Sequence, residues 1–255
     1  MNKGTCVLVL CALLAVPMIA SAQEEEAPKP YVYATYFECD PGDEWMADGI
    51  VDFLYKPIFD AAVEDGTISS WGWMGHHTGG KWRRILYRSA PTLEAALEAL
   101  ETLGAKVDEK NAQAASQIGE VCPAHDDYIW QVGAGSGGAR GVGDDRGKAG
   151  SSVYLHCDMA KEDRADELVA SVFAPIYDRH VAEGNISSWG WLKHVVGGKW
   201  RRLATMTGES HSAVLKVRGE IIDEIWEKHE AEVEEYVSIC GAHADYLWNI
   251  LQEKL

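Results

Sequence analysis

The stretch Ile68-Ser69-Ser70-Trp71-Gly72-Trp73 occurs again as Ile186-Ser187-Ser188-Trp189-Gly190-Trp191, 118 residues further along the 255-residue chain. At the same offset, Gly79-Gly80-Lys81-Trp82-Arg83-Arg84 matches Gly197-Gly198-Lys199-Trp200-Arg201-Arg202. The match continues without a gap from about Thr35 to Asn249. A period of this length is the size of a domain and too long for a solenoid repeat. The sequence therefore predicts one module written twice.

Domain boundaries follow from the repeat and from local composition. We expect a first module at residues 31–132, a linker at 133–150 that holds eight glycines, and a second module at 151–255. Glycine-rich segments behave as flexible tethers. Residues 23–30 are expected to form a short N-terminal linker.

The first 22 residues have the form of a removable signal peptide. Lys3 supplies a positive start, an apolar run follows at Val7–Ala15, and Ala20-Ser21-Ala22 is a small-residue cleavage site. The apolar run is too short for a stable membrane span, which needs about 20 residues. We therefore expect an exported protein, periplasmic or secreted, without a membrane anchor.

Composition narrows the classes of function. The formal net charge of −17 repels phosphate backbones, so nucleic acid is a poor candidate partner. An apolar content of 47% is typical of a globular protein. The expected mature chain contains no phosphate-binding glycine loop, nucleophile elbow, zinc motif or c-type haem motif. These absences disfavour nucleotide use and hydrolysis, and leave chemistry without a cofactor open.

Both copies predict the same order of elements, βαββαβ, which is the ferredoxin-like unit of an α+β fold. The strands are expected at Tyr31–Cys39, Ile68–His76, Lys81–Arg88 and Asp127–Val132, with Ser152–Cys157 and Asp245–Ile250 as the outer strands of the second copy. Pro57 and Pro175 should kink the first helix of each copy, and Gly66 and Gly184 should end it. Thr92 and Ser210 should cap the second helix, and Gly104 should break it in the first copy.

The four mature cysteines occupy equivalent places in the two copies. The first and last strands of a ferredoxin-like unit are antiparallel neighbours, so Cys39 should lie near Cys122 and Cys157 near Cys240. Export would provide an oxidising setting, and we expect two disulfides with these pairings. The alternative is a thiolate metal site built on Cys-x-x-His, which no second cysteine or histidine cluster accompanies.

The pattern resembles the dimeric α+β barrel superfamily, which includes antibiotic-biosynthesis-monooxygenase-like, EthD-like and NIPSNAP-like domains. The resemblance rests on element order, on Ala47-Asp48 and Ala165-Asp166 in the first helix, on the Gly-x-Ile turns at Gly66 and Gly184, and on the Trp-bearing hairpin. It implies that two units pack sheet to sheet into a barrel, here inside one chain as a monomeric pseudo-dimer. Members range over oxygenases, isomerases and haem-handling enzymes, so the resemblance leaves function open.

Three kinds of repeated side chain are candidates for ligand binding. Tryptophans on one face of a strand could form a wall for a flat apolar ligand, or could be core. Each Arg-Arg pair sends one arginine to each face of its strand, where it could anchor an anion or pair with Asp127/Asp245 or Asp60/Asp178. Tyrosines of the first strand point away from the cysteine face. The candidate ligand-binding residues are Trp73, Trp191, Arg84, Arg202, Tyr36 and Tyr154.

Histidines supply the candidate catalytic groups. His76 and His194 end a strand and could act as a general base, ligate a metal or haem, or hydrogen-bond a loop. His125 and His243 stand two residues before Asp127 and Asp245, which puts each pair on one strand face as an acid–base dyad. No nucleophile accompanies either set. No metal site and no cofactor are predicted, and haem is a weak alternative.

Two hypotheses of function therefore stand. The first is an exported tandem α+β barrel that binds a small aromatic or apolar organic molecule, with any oxygenase or isomerase chemistry independent of a cofactor. The second is a non-catalytic structural or interaction protein whose repeated residues only specify the barrel. Haem binding through one of the histidines is a third, weaker interpretation.

Overall fold

The computed structural model describes Met1, residues 29–133 and residues 146–255. The predicted signal peptide lies outside the described residues apart from Met1, and so do most of the N-terminal linker and residues 134–145 of the glycine-rich linker. Among the described residues, no helix is both long and apolar enough to cross a bilayer.

The described residues form two successive runs of strands and helices in the same order. The strands are β1 (Tyr31–Glu38), β2 (Ser70–Thr78), β3 (Arg84–Ala90), β4 (Ala124–Val132), β5 (Ala149–His156), β6 (Ser188–Val196), β7 (Arg202–Gly208) and β8 (Ala242–Lys254). The helices are α1 (Glu44–Ile50), α2 (Lys56–Glu64), α3 (Leu93–Val121), α4 (Glu162–Leu168), α5 (Ala174–Ala182), α6 (His211–Lys228) and α7 (Glu230–Ile239).

The eight strands close into one antiparallel barrel in the order β1-β3-β2-β8-β5-β7-β6-β4. Four consecutive places in this ring belong to each half of the chain, and β2/β8 and β4/β6 form the seams between the halves. The two sheets therefore face each other across the interior and are also hydrogen-bonded edge to edge. Closure leaves no unpaired sheet edge, which protects a barrel from edge-to-edge association.

The start of β5 differs from the prediction. The strand begins at Ala149, inside the stretch assigned to the glycine-rich linker, and pairs with both β7 and β8. The pattern hid it because Ala149-Gly150-Ser151 lacks the bulky residues that mark strands. A Cβ at Gly150 would lie 3.7 Å from the Cβ of Trp248, which is an ordinary van der Waals contact, so the packing here does not require glycine.

Each predicted proline kink appears as a widened turn just before the proline. A π-helical turn at Val51–Tyr55 joins α1 to α2 ahead of Pro57, and Val169–Phe173 does the same ahead of Pro175. Proline donates no backbone hydrogen bond and its ring clashes with the preceding turn, so a wider turn accommodates it. Gly66 and Gly184 end α2 and α5 with φ angles of +78° and +73°, which favour glycine.

The predicted break at Gly104 is wrong. Helix α3 continues through Gly104, and the non-helical residue is Asn111 (φ −166°, ψ 81°). Its equivalent, His229, separates α6 from α7 in the second half. A glycine inside a helix costs only about 1 kcal/mol, and the helix face beside it is held by buried Leu103 and Val107. Asn111 instead accepts a hydrogen bond from the Ala114 N–H (3.0 Å) and so caps the following segment.

The core has two kinds of layer. Between the outer face of the sheet and the helices lie aliphatic and tryptophan side chains, one cluster for each half. A third cluster fills the barrel interior with tyrosine and tryptophan rings from both halves. The predicted disulfides Cys39–Cys122 and Cys157–Cys240 are confirmed, and each ties the end of a first strand to the start of a fourth.

Candidate functional site

A cavity of about 310 Å³ lies inside the barrel. Side chains alternate between the two faces of a strand, so every second residue of each strand points towards this space. Both halves of the chain contribute walls. The lining residues used below are Tyr36, Tyr87, Trp130, Tyr154, Thr205 and Trp248. The volume is at the lower end of small-molecule sites, which measure about 300–1,000 Å³.

The cavity exists because the two halves fill the interior differently. In the first half, the Tyr87 ring lies over Gly72, where a Cβ would stand 2.4 Å from the ring Cε1. The equivalents in the second half are Thr205 and Gly190, and both line the cavity. Threonine has no ring to fill this space, so the volume that Tyr87 occupies in one half stays open in the other.

Two equivalent Tyr–Trp pairs form the aromatic part of the wall. In the first half, Trp130 Nε1 donates to Tyr36 Oη at 3.2 Å. Their equivalents, Tyr154 and Trp248, are both fully buried, yet neither Tyr154 Oη nor Trp248 Nε1 has a hydrogen-bond partner of normal geometry. Buried polar groups in folded proteins are nearly always paired, so two orphaned atoms beside a cavity are unusual.

The tyrosine hydroxyls of the wall stay protonated at neutral pH. Burial raises the pKa of Tyr36, Tyr87 and Tyr154, because the phenolate form would lose its solvation in the barrel interior. The cavity therefore presents neutral phenols and indoles, an environment that favours uncharged ligands.

One ionic cluster reaches the cavity, and it has no equivalent in the repeat. Arg146 Nε and Nη2 donate to the two carboxylate oxygens of Glu253, and Nη2 also donates to Tyr87 Oη at 2.7 Å. Tyr87 Oη in turn donates to Glu253. Because each group is hydrogen-bonded to the other two, Arg146 is not an open anion site.

The candidates Trp73 and Arg84 lie on the other face of the sheet, against α1. Trp73 Nε1 donates to Asp48 Oδ1 (2.7 Å), and Arg84 grips both Asp48 oxygens at 2.7 Å while also pairing with Glu44 (3.0 Å). Asp60 accepts from the neighbouring Trp71 (2.9 Å). The side chains are buried and fully paired, an arrangement that holds the helix to the sheet.

The second half repeats this arrangement. Arg202 grips Asp166 (2.8 and 3.0 Å) and pairs with Glu162 (3.0 Å), and Trp191 Nε1 donates to Asp166 at 2.8 Å. Trp191 also borders a small cavity of about 60 Å³ between sheet and helices. The partners expected for the arginines, Asp127/Asp245 or Asp60/Asp178, are wrong. The guanidinium groups are bound instead by Asp48 and Asp166, which lie one turn after the start of α1 and α4. The spacing of residues along a strand does not predict a contact with a helix in another layer.

His76 and His194 lie at the seams rather than in the wall of the larger cavity. His76 Nδ1 is 2.8 Å from Arg83 Nη1, and its ring stands edge-on to Tyr246 and Trp248. Burial and the charge of Arg83 lower the pKa of His76. Burial and the charge of Arg201 lower the pKa of its equivalent, His194. Both histidines are therefore neutral near pH 7.

The predicted His–Asp pairs do form. His125 Nε2 lies 3.2 Å from Asp127 Oδ2, and His243 Nε2 lies 3.1 Å from Asp245 Oδ2. All four side chains are about half exposed at the start of β4 and β8. Neither pair borders the cavity, so a ligand held inside the barrel would not meet them.

Comparison with solved structures shows which known fold the chain has. No protein-family model matches the chain, and no curated protein matches it either. Among solved structures, a proposed monooxygenase from Fusobacterium nucleatum subsp. nucleatum has a TM-score of 0.58 at 8% identity, covering 89% of this chain and 94% of that one. An anthrone oxidase-like protein (TM-score 0.52, 14% identity, 90% and 94%) and a proposed chlorite dismutase (0.52, 9%, 88% and 95%) are similar in the same way.

The chain has the dimeric α+β barrel fold. At these identities the likeness shows the fold alone, since this architecture hosts several chemistries. The fold explains why the elements of one chain form a closed ring of eight strands with helices outside.

Haem binding was the weaker alternative from the sequence, and the donor atoms that line the larger cavity do not suit haem iron. Among the residues that the structure describes, no histidine or cysteine lines this cavity, and its tyrosines are buried as neutral phenols. Thioethers of Met74 and Met206 are present, but methionine ligates haem iron together with histidine. Among the described residues, no group of three or more His, Cys, Asp or Glu is arranged to hold a metal ion.

Several wall residues were missed from the sequence. The sequence did not single out Tyr87, Thr205 or Arg146, nor Glu253, the partner of Arg146, and it marked the Trp130/Trp248 pair only as a repeat. The signal that could have found the first two is the difference between copies. A large residue facing a small one at equivalent interior positions marks the place where a pseudo-symmetric barrel leaves space.

Proposed function

We propose that this chain is an exported small-molecule-binding protein in which two ferredoxin-like βαββαβ modules close on each other and hold one mainly apolar organic ligand inside the barrel. The observation that carries the proposal is the 310 Å³ cavity, whose wall is mainly aromatic and aliphatic with several hydroxyl side chains. Ligand sites are typically concave and apolar, with a few placed polar groups.

The compartment and the partner class are parts of the same proposal. Two disulfides indicate an oxidising compartment, which supports a periplasmic or secreted location. A net charge of −17 disfavours nucleic acid as a partner. The repeated element order supports two modules that act as a pseudo-dimer within one polypeptide.

Binding is better supported than acid–base catalysis by histidine. The titratable groups of the cavity wall are tyrosines and Arg146, and Arg146 is bonded to Glu253. The histidine candidates lie at seams or on the exposed ends of strands, away from the wall. Tyr36 and Tyr154 are the predicted ligand-binding residues that line the cavity, and we propose that they contact the ligand.

The test is to fill the cavity with the residue that the other half already uses. Thr205→Tyr places a ring opposite Gly190, as Tyr87 lies opposite Gly72. We expect the variant to fold and to bind the neutral fluorescent probe N-phenyl-1-naphthylamine at least about tenfold more weakly, because the ring takes the ligand's volume. Thr207→Ser, which copies Ser89 of the first half without adding volume, is the matched control.

Equal binding by wild type and Thr205→Tyr would show that the probe lies elsewhere and would contradict the proposal. Mass spectrometry of the denatured protein should also reveal a co-purified organic molecule that Thr205→Tyr lacks. A Soret band on haem titration, lost in His76→Ala, would instead favour a haem protein.

A second candidate function is cofactor-independent oxygenation of the bound molecule. Two structures of similar fold are a proposed monooxygenase and an anthrone oxidase-like protein. The mainly apolar wall of the cavity, which suits an aromatic substrate, favours this reaction here. Incubation of the ligand-loaded protein under ¹⁸O₂ tests it, because an oxygenase would introduce the heavy isotope into the ligand and a carrier would not.

A further inference from the structure

The difference between the two Tyr–Trp pairs indicates which chemical group the ligand carries. Trp130 satisfies its indole N–H by donating to Tyr36 Oη. Repeat symmetry would have Trp248 donate to Tyr154 in the same way, but Trp248 Nε1 is left without a partner. Tyr154 Oη makes no hydrogen bond of normal geometry either, although the hydroxyls of Tyr36 and Ser152 lie near it. Both residues line the same cavity.

The two orphaned atoms place a definite requirement on a partner. An indole N–H can only donate, so Trp248 needs an acceptor. The Tyr154 hydroxyl, kept protonated by burial, can donate as well. A single carbonyl-type oxygen has two lone pairs and can accept from both. A buried donor without a partner is unfavourable, so an acceptor that reaches it would bind more tightly than a molecule without one.

The surroundings exclude an anion as the favoured partner. The cation that lines the cavity, Arg146, already binds both oxygens of Glu253, so it would not neutralise a carboxylate. Apart from the indole N–H groups, the other polar side chains of the wall carry hydroxyls. Some of these hydroxyls are hydrogen-bonded to each other, as Ser70 is to Ser89 at 2.6 Å. An ionised ligand would therefore be desolvated without a counter-charge.

We propose that the cavity is selective for neutral apolar molecules with a carbonyl oxygen, and that Tyr154 and Trp248 are the positioning pair that receives this oxygen. The proposal rests on the ligand-binding function proposed above. In the equivalent pair of the first half, Trp130 donates to Tyr36. This pair contributes to the cavity wall but does not bind the carbonyl oxygen.

Two probes of matched shape test the selectivity. 1-Tetralone and tetralin differ by one carbonyl oxygen. We expect wild type to bind 1-tetralone about five- to tenfold more tightly than tetralin, the effect of one or two neutral hydrogen bonds. Tyr154→Phe should reduce this ratio to below about twofold, while the control Tyr55→Phe, which lies between sheet and helices and outside the cavity wall, should leave it unchanged.

The indole N–H resonances of Trp130 and Trp248, observed in ¹⁵N-labelled wild type, give a readout that a purely structural role would not move. They are assigned with Trp130→Phe and Trp248→Phe. We expect 1-tetralone, and not tetralin, to shift the Trp248 signal while Trp130 stays in place. Equal affinities for both probes, with no selective shift, would overturn the carbonyl proposal and leave the cavity function standing. Failure of both probes to bind would overturn the cavity function itself.

Discussion

The two halves of the barrel agree in what fastens helix to sheet and differ in what the sheet encloses. In each half an aspartate of the first helix accepts an indole N–H and grips a buried arginine, Asp48 with Arg84 and Asp166 with Arg202. At the interior position 87/205, by contrast, one half has tyrosine and the other threonine. The comparison shows that the two halves share the contacts that fasten helix to sheet, whereas their interior residues differ at a position that lines the cavity.

A second difference lies between sheet and helices. In the first half, Arg88 of β3 is buried, with its charge 4.5 Å above the Tyr33 ring and with Nε and Nη2 unpaired. In the second half the equivalent residue is Met206, and an arginine comes from α6 instead, where Arg218 donates to Asp245 at 2.8 Å. Each half therefore has one arginine in this layer, but only that of the second half, Arg218, is paired with a carboxylate.

The largest effect should come from breaking the shared framework. Asp166→Ala leaves buried Arg202 with Glu162 alone and frees the Trp191 N–H, so we expect a loss of about 3–5 kcal/mol in the free energy of unfolding. Asp48→Ala should cost somewhat less, because Asp166 also binds Lys193 (2.7 Å) where the first half has Gly75. Urea unfolding measures both, with exposed Asp163→Ala as control.

Asp166 should also make the stability of the protein depend on pH in the acid range. Burial alone would raise the pKa of Asp166, but hydrogen bonds from Arg202, Lys193 and Trp191 outweigh it and the pKa is lowered. The stability it contributes is therefore present above the pKa of the unfolded chain and is lost as pH falls through the lower folded value. If the urea midpoint of Asp166→Ala falls in acid as steeply as that of wild type, this carboxylate is not the group responsible.

A smaller effect, of opposite sign, is expected at position 88. Burial lowers the pKa of Arg88 to about 10, which reflects an unpaired guanidinium in an apolar layer. Arg88→Met copies the second half, and we expect it to raise the free energy of unfolding by about 1–2 kcal/mol, the desolvation cost less the cation–π contact. Met206→Arg is the reverse exchange and should destabilise. A destabilised Arg88→Met would mean that the charge has a partner after all.

The smallest effect concerns the seam histidines. Burial and Arg83 lower the pKa of His76, so the folded protein resists the proton that the unfolded chain takes up below its ordinary pKa of about 6.5. Stability should therefore decline from pH 7 to pH 5. His76→Gln should flatten this decline in the urea midpoint by at most the effect of one bound proton.

Much of the fold was predictable because it is written locally. Strand alternation, the capping Thr92 and Ser210, the glycine stops and the repeat gave the element order and the disulfide partners. The break in α3 was misplaced because a propensity argument chose Gly104, while the side-chain cap at Asn111 decided the position. The start of β5 was missed because its small residues have little strand propensity, and only pairing with β7 and β8 makes them a strand.

The candidate site was less predictable. Tyr36 and Tyr154 were chosen as ligand residues from the face they occupy, and both line the cavity. Trp73 and Arg84 were chosen from residue type, and type does not reveal that Asp48 on another layer meets them both. A pair such as Tyr87 and Thr205, whose contrast creates the cavity, belongs to segments more than a hundred residues apart.

By itself, the sequence determined that two equivalent α+β units lie in one chain and that their cysteines pair within each unit, because periodicity and chain order are local properties. Only the tertiary structure decided which strand faces line the cavity and that Arg218 is paired while Arg88 is not. It also decided that Tyr154 and Trp248 lack a normal hydrogen bond beside the cavity. Those outcomes depend on volumes and hydrogen bonds between residues that meet only after both halves close.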